Sequence, residues 1–278
     1  MEKGKLYVIP TPIGNLEDMT LRGLRLLREA DLILCEDTRE SGKLLSHYGI
    51  ENNKLSYHKF NEKSRSDEII NRLIQGENIA LISDQGSPGI SDPGQILIQE
   101  ALHHNIEPVV LPGATAMIPA MISSGFSTDC FNFDGFIPRD GKERKDFMAY
   151  LQRSRRPVIF YESVHRIHRT LMDLKKIIPR RAMALCRELT KTHEEILRGR
   201  VEEICEISTK RQWKGEFVVI IDGDKEEEFN LGDEEIKTLI LAEMKKGIRK
   251  SQAVKLIAKT YHLNKNQCYE LSLELENE

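Results

Sequence analysis

The chain has 278 residues, 40% of them hydrophobic and 31% charged, enough to bury two cores of ordinary domain size under a well-solvated surface. Its 41 Lys and Arg stand against 44 Asp and Glu, for a formal net charge of -3. No global basic field therefore attracts nucleic acid, and binding to RNA would need local basic patches. Cys35, Cys130, Cys186, Cys205 and Cys268 are odd in number, widely spaced and free of a CxxC pair. That argues against a disulfide framework or a zinc site and fits a reducing cytoplasm. The opening "MEKGKLYVIP" has too short an apolar run for a signal peptide. No stretch approaches the roughly 18 to 20 apolar residues of a membrane span.

In chain order, "KLYVIP" (5–10) reads as a strand ending in proline, and "TLRGLRLLREA" (20–30) as a helix with Thr20 as its cap. "DLILCED" (31–37) is strand-like, and "RSDEIINRLIQG" (65–76) is an amphipathic helix stopped by glycine. Then follow a strand at 78–84, a helix at 94–105 and a strand at 107–113. This β/α alternation with near-continuous apolar strands predicts a largely parallel sheet. A helix at 114–125 bridges to a second half with strands in succession at 130–136, 156–163, 181–189, 194–204 and 215–222, and helices at 142–153 and 164–177. The expected class is α/β: a domain over 1–116, a second α/β domain with a mixed sheet over 117–224, and a tail over 225–278. In the tail, the acidic segment 223–235 reads as a linker before helices at about 233–246, 251–261 and 265–276, with Ser251 and Asn264 as caps. Two short helices joined by a turn resemble a helix-turn-helix. Residues 231–265 carry eight basic and four acidic residues, and 139–156 carry seven and three. Each is a candidate RNA patch or an ordinary solvated helix face.

"ALISDQGSPGISDPG" (80–94) ends a strand in a glycine-rich turn. Gly89 and Gly94 have P-loop spacing, but Gln95 and Ile96 stand where Lys and Ser or Thr are needed, and no GxGxxG occurs. Pro88 and Pro93 remove two backbone donors, while Asp84 and Asp92 add negative charge. Such a loop repels polyphosphate and suits a neutral or partly cationic ligand with hydroxyls and a ring, such as an adenosyl group. "VIPTPIGN" (8–15) and "VVLPGATA" (109–116) also place Gly/Pro turns at predicted carboxyl ends of strands, the edge at which open parallel sheets bind ligands.

Six segments carry a resemblance: 11–39, "SDQGSPGISDPG" (83–94), "LPGATA" (111–116), "FYESVHRI" (160–167), "RELTKTHEEILRG" (187–199) and "GEFVVII" (215–221). Together they resemble the tetrapyrrole methylase superfamily of S-adenosylmethionine-dependent enzymes. Within it they resemble the branch that methylates a cytidine ribose 2'-hydroxyl in the decoding region of 16S rRNA. The resemblance implies two α/β domains with S-adenosylmethionine in the cleft between them, a homodimer, and a 16S rRNA partner, bare or in the 30S subunit. It implies cofactor contacts at Pro12, Asp84, Gly86, Ser87, Thr115, Ala116, Tyr161, Leu189, Glu216, Phe217 and Val218. Gln85 stands where a small residue is usual in that branch, a departure at the pocket rim.

A base helps a ribose hydroxyl attack. Glu36 and Asp37, at a strand end, are the candidates, and the alternative is a capping pair that holds Arg39. Glu188 and Glu162 are further carboxylates. The loop "SYHKFNEKSR" (56–65), with an aromatic, His58, Asn61 and Glu62, has the composition to contact a splayed nucleotide. Asn15, Arg39, His165, Arg166 and Glu188 complete the expected substrate set. His165 and His168 have the spacing of metal ligands on one helix face but no evident third partner, so no metal is expected. The competing functions are a tetrapyrrole C-methyltransferase and a non-catalytic RNA-binding protein.

Overall fold

Apolar runs that end in glycine or proline turns become short parallel strands. In the computed structural model, which describes residues 2–224, 231–261 and 263–275, these are β1 (Leu6–Val8), β2 (Leu32–Cys35), β3 (Lys54–Ser56), β4 (Ile79–Leu81) and β5 (Val109–Val110). They form one sheet in the order β3-β2-β4-β1-β5, every pair parallel. Side chains alternate across a strand. Leu32, Leu34, Ile79 and Leu81 therefore pack on α3 (Glu62–Ile74) and α4 (Gln95–His103). Ile33, Cys35, Ala80 and Ile82 pack on α1 (Leu21–Glu29) and α2 (Thr38–His47) on the other face. Thr20 caps α1 by accepting the Gly23 N–H at 3.0 Å.

The second sheet comprises β6 (Asn132–Phe136), β7 (Val158–Ser163), β8 (Ala182–Arg187), β9 (Glu195–Arg200) and β10 (Glu216–Ile221), in the order β6-β7-β10-β8-β9. It is mixed: β6 and β7 are parallel and the other pairs antiparallel. One face packs on α6 (Gly141–Arg153), α7 (Ile167–Ile177) and α8 (Val201–Thr209). The other packs on α5 (Met117–Ser124) and on Ile13 from the turn after β1.

Several boundaries differ from the sequence reading. The strand expected over 194–204 stops at Arg200. Val201, Ile204 and Cys205 recur at helical spacing and face the core beneath the second sheet from α8. The Glu203 carboxylate starts that helix by accepting the Arg200 N–H at 2.7 Å. The helix α2 was not expected, because its leucines, Leu44 and Leu45, are adjacent rather than periodic. The helix expected from 65 begins at Glu62, and the one expected from 164 begins at Ile167, after a turn in which Arg166 N donates to Ser163 O.

The chain divides into two compact units, Met1–Gly223 and Asp224–Glu278. In the second, α9 (Asp233–Lys245), α10 (Lys250–Thr260) and α11 (Lys265–Glu274) enclose a core of Ile236, Ile240, Val254, Ile257, Cys268 and Leu271. Of the expected acidic linker, 225–230 lie outside the described residues, and Asp233 to Glu235 form the first turn of α9. Asn264 caps α11, its side chain accepting from Asn266 N at 2.9 Å. Ser251 does not cap α10: Arg249 holds that position and Ser251 lies inside the first turn.

Ile79 is fully buried in β4, between β1 and β2. Ile79→Ala is expected to lower unfolding stability by about 2–5 kcal/mol, measured by urea titration.

Candidate active site

The site is built by turns that leave parallel neighbours together. The chain after β1 and the chain after β4 bridge through Thr11 N to Gly86 O (2.8 Å) and Gly86 N to Thr11 O (3.0 Å). Thr11 Oγ1 also donates to Ser83 O at 2.9 Å. Gly86 has φ +83°, a conformation that disfavours a side chain. Ser87 Oγ donates to Ala114 O at 3.0 Å and so ties in the turn after β5. From the second sheet, the turn after β8 carries two non-glycine residues with left-handed φ, Glu188 (51°) and Thr190 (65°). The two sets of turns meet: Asn15 N donates to Thr190 Oγ1 at 3.1 Å. A β-carbon on Gly14 would lie 2.3 Å from the Lys191 Cγ.

Between them lies a cavity of about 300 Å³, within the size range of small-ligand sites. Gly86, Ser87, Thr115, Ala116, Tyr161, Leu189, Glu216, Phe217 and Val218 line it, as do Gln85, Asp92 and Lys191. Of the expected cofactor residues, Pro12 and Asp84 are outside this lining. Pro12 is buried, and Asp84 Oδ1 accepts the Asp37 N–H at 3.2 Å. The rim is clasped by polar groups. Lys191 Nζ donates to Glu216 Oε2 (2.8 Å) and Glu188 Oε1 (3.1 Å), and Glu188 Oε1 accepts the Glu216 N–H at 3.0 Å. With its amide nitrogen turned inward, Gln85 donates to Glu216 Oε2 at 2.9 Å and to Ile13 O at 3.2 Å.

Carboxylates dominate the electrostatics. Burial, and then the charges of Glu36, Asp84 and Glu216, push Asp92 up to about 7. Burial followed by Asp84 raises Glu36, and burial also raises Asp84, with Asp37 adding to it. Asp37 behaves oppositely. The Arg39 side chain and N–H bind its carboxylate and hold it at about 2. Asp37 thus caps α2 and pairs with Arg39, whereas Glu36 keeps the elevated affinity for a proton. Glu162, 1% exposed, accepts from Thr170 Oγ1 (2.7 Å) and pairs with Arg166 (2.8 Å).

The expected substrate residues do not form one face. Asn15 caps a short 3-10 turn, Leu16–Asp18, and Arg39 is exposed on Asp37. Arg166 is taken up by Glu162 and by Ile137 O, while Arg169, in the first turn of α7, pairs with Asp140. His165 and His168 are exposed. In the loop after β3, Asn61 accepts the His58 N–H at 2.7 Å and donates to Ser56 O at 3.1 Å. Glu62, 9% exposed, accepts the Gly94 N–H at 2.8 Å. Those polar groups hold the loop. Among the described residues no group of three or more His, Cys, Asp or Glu is arranged to hold a metal, and no helix is long and apolar enough to cross a membrane.

The family model for tetrapyrrole (corrin/porphyrin) methylases matches residues 5–205. The chain belongs to the tetrapyrrole methylases. Relatives of this methylase named ribosomal RNA small subunit methyltransferase I include that of Synechocystis sp., 43% identical over 98% of this chain and 99% of the relative. That of Halalkalibacterium halodurans is 45% identical over 81% of this chain and 78% of the relative. Solved structures confirm the methylase fold. Diphthine synthase superposes with a TM-score of 0.64 at 14% identity, over 80% of this chain and 91% of that one. Uroporphyrin-III C-methyltransferase from Thermus thermophilus, solved with S-adenosylhomocysteine, gives 0.56 at 18%, over 79% and 97%.

The raised Asp92 has a definite consequence for the stability of the ligand-free methylase. Between the ordinary aspartate value of about 3.9 and about 7, the folded state holds a proton that the unfolded state has lost. Its contribution is therefore fully present below about pH 4 and is lost as pH rises through about 7. Asp92→Asn should gain in melting temperature over the native chain as pH goes from 5 to 8. A difference independent of pH would contradict the assignment.

Proposed function

We propose that the protein is an S-adenosylmethionine-dependent methyltransferase that modifies the ribose 2'-oxygen of a cytidine in the decoding region of 16S rRNA. It acts on the 30S subunit, as a homodimer, in the cytoplasm, where that subunit is found. The observation that carries the reading is the cavity itself: both sheets build it, Leu189, Val218 and Ala116 make its wall apolar, and an excess of carboxylates borders it. Similarity over nearly the whole chain to proteins named for methylating small-subunit rRNA supports the substrate class. Exposed Ile118 and Ile122, one turn apart on α5, support a partner subunit.

The residues present fit the cofactor. Apolar and backbone groups suit an adenosyl moiety, and partly desolvated carboxylates favour a cation over a neutral or anionic ligand. When bound, S-adenosylmethionine supplies an electrophilic methyl group on a good leaving group. The chain then has to align the hydroxyl and accept its proton. Gly86, in the cavity lining, has no side chain to hinder a ligand's approach. Asp92 lines the cavity and is pushed up to about 7, and we assign it as the proton acceptor. Glu36 and Asp84 act through Asp92 by keeping it basic. Asp37, ionised and held by Arg39, is a cap.

Labelled methyl groups from S-adenosylmethionine should enter 30S subunits that lack the modification. Incorporation into a tetrapyrrole precursor instead would favour the C-methyltransferase, and RNA binding without incorporation would favour a non-catalytic module. Gly86→Val should abolish cofactor binding in a calorimetric titration. Asp92→Asn should lower kcat by about 10²–10⁴-fold and flatten the fall in kcat/KM below pH 7, and wild-type turnover would remove Asp92 from the chemistry.

A further inference from the structure

The loop after β3 presents to solvent an aromatic that no site assignment above names by position. Phe60 is 94% exposed, the most exposed of the large hydrophobic side chains among the described residues. An apolar ring so placed at a loop tip contributes nothing to the core and needs another reason to be there.

The loop beneath it is held firmly. Tyr57, 1% exposed, anchors its start, with its hydroxyl 3.2 Å from Ser66 Oγ. Asn61 N and Glu62 N both donate to His58 O, at 2.8 and 3.1 Å, closing a tight turn around Phe60. The Asn61 amide bonds on both sides, to His58 N and Ser56 O. His58 meets the Phe60 ring edge-on, with centroids 6.1 Å apart. Glu62 ties the loop to Gly94, the end of the arm whose Ser91 and Asp92 line the cavity. The polar side chains point inward to fix the turn, and the ring is what the turn displays.

Charge defines what the ring meets. Lys59 and Lys63, on either side of it, are exposed and have no salt-bridge partner among the described residues. The cavity, to which the loop is tied through Glu62 and Gly94, is bordered by carboxylates that hold their protons tightly. A nucleobase offers a π face to an exposed aromatic ring, and its flanking phosphates are what unpaired lysines bind. We propose that Phe60 is a stacking platform for an unpaired base of the RNA substrate, with Lys59 and Lys63 holding the adjoining phosphates, so that the RNA strand is pinned beside the cavity while its target ribose enters. This rests on the rRNA reading above and adds to it a specific anchor outside the reaction centre.

The test compares the native chain with Phe60→Ala, Phe60→Leu, Phe60→Trp and Lys59→Ala/Lys63→Ala in methyl transfer to 30S subunits. Phe60→Ala and Phe60→Leu should raise KM for the subunit by roughly 5- to 150-fold, the range of one lost base stack. KM for S-adenosylmethionine and the melting temperature should stay at native values, because the ring is outside core and cavity. Phe60→Trp should retain native KM. The double lysine variant should flatten the salt dependence of the subunit KM. An unchanged subunit KM in Phe60→Ala would overturn the proposal. A separate arm needs no turnover. A short cytidine-bearing single-stranded RNA should quench the fluorescence of Phe60→Trp saturably, with the native chain, whose one tryptophan is Trp213, as blank. Quenching by RNA in a protein that fails to methylate 30S subunits would sink the rRNA reading and keep the stacking site. A raised subunit KM without quenching would give Phe60 to a ribosomal protein and overturn the RNA assignment.

Discussion

The site is organised by carboxylates held in partly dry surroundings with little cationic relief. Glu36 follows β2, Asp84 follows β4, and Asp92 lies farther along the same arm; each holds its proton more tightly than a free side chain does. Such a cluster costs stability when ionised, and a bound cation offsets that cost. The one lysine in the cavity lining is already engaged by Glu188 and Glu216. A bound cation is therefore the relief that the geometry leaves open, and a sulfonium is one of the few cations that also brings an apolar, ring-bearing body to fill an apolar wall.

Everything that positions the cluster follows from bringing two sheets together through their turns. Parallel order in the first sheet sets β1 beside β4, which lets Thr11 and Gly86 bridge. The turn after β1 then inserts Ile13 into the core of the second sheet and docks Gly14 and Asn15 on Thr190 and Lys191. The departure at Gln85 acquires a role in this setting: its amide joins Glu216, and so the rim of one sheet, to the turn of the other. Glu162 secures the far wall through Thr170 and Arg166, below the surface on which Tyr161 faces the cavity.

Much of this was legible in the sequence, for local reasons. An apolar run that breaks at Gly or Pro marks a strand end by itself, and three such ends at "TPIGN", "SDQGSPG" and "LPGATA" pointed to one ligand edge. The absence of a phosphate-loop lysine and the presence of aspartates already favoured a neutral or partly cationic ligand such as an adenosyl group over a polyphosphate. What the sequence hid depends on distant partners. Asp92 reads as a turn residue until Glu36 and Asp84 are brought near it. Arg166 and Glu62 read as RNA contacts until Glu162 and Gly94 claim them. Asp37 and Glu36 are adjacent and look alike, yet Arg39 separates their behaviour. Local ambiguity accounts for the rest: Val201, Ile204 and Cys205 continue an apolar run that suits either a strand or a helix, and only the Glu203 cap decides it.

The claim that the cavity is matched to a cation is tested most directly by proton release on binding. Calorimetric titration of the protein with S-adenosylmethionine near pH 7, in buffers of different ionisation enthalpy, should show net release of protons, because the sulfonium stabilises ionised Asp92 and its neighbours. S-adenosylhomocysteine, identical but for the lost methyl and its positive charge at sulfur, should bind with markedly less release. Equal proton release for the two ligands, or none for either, would contradict the account.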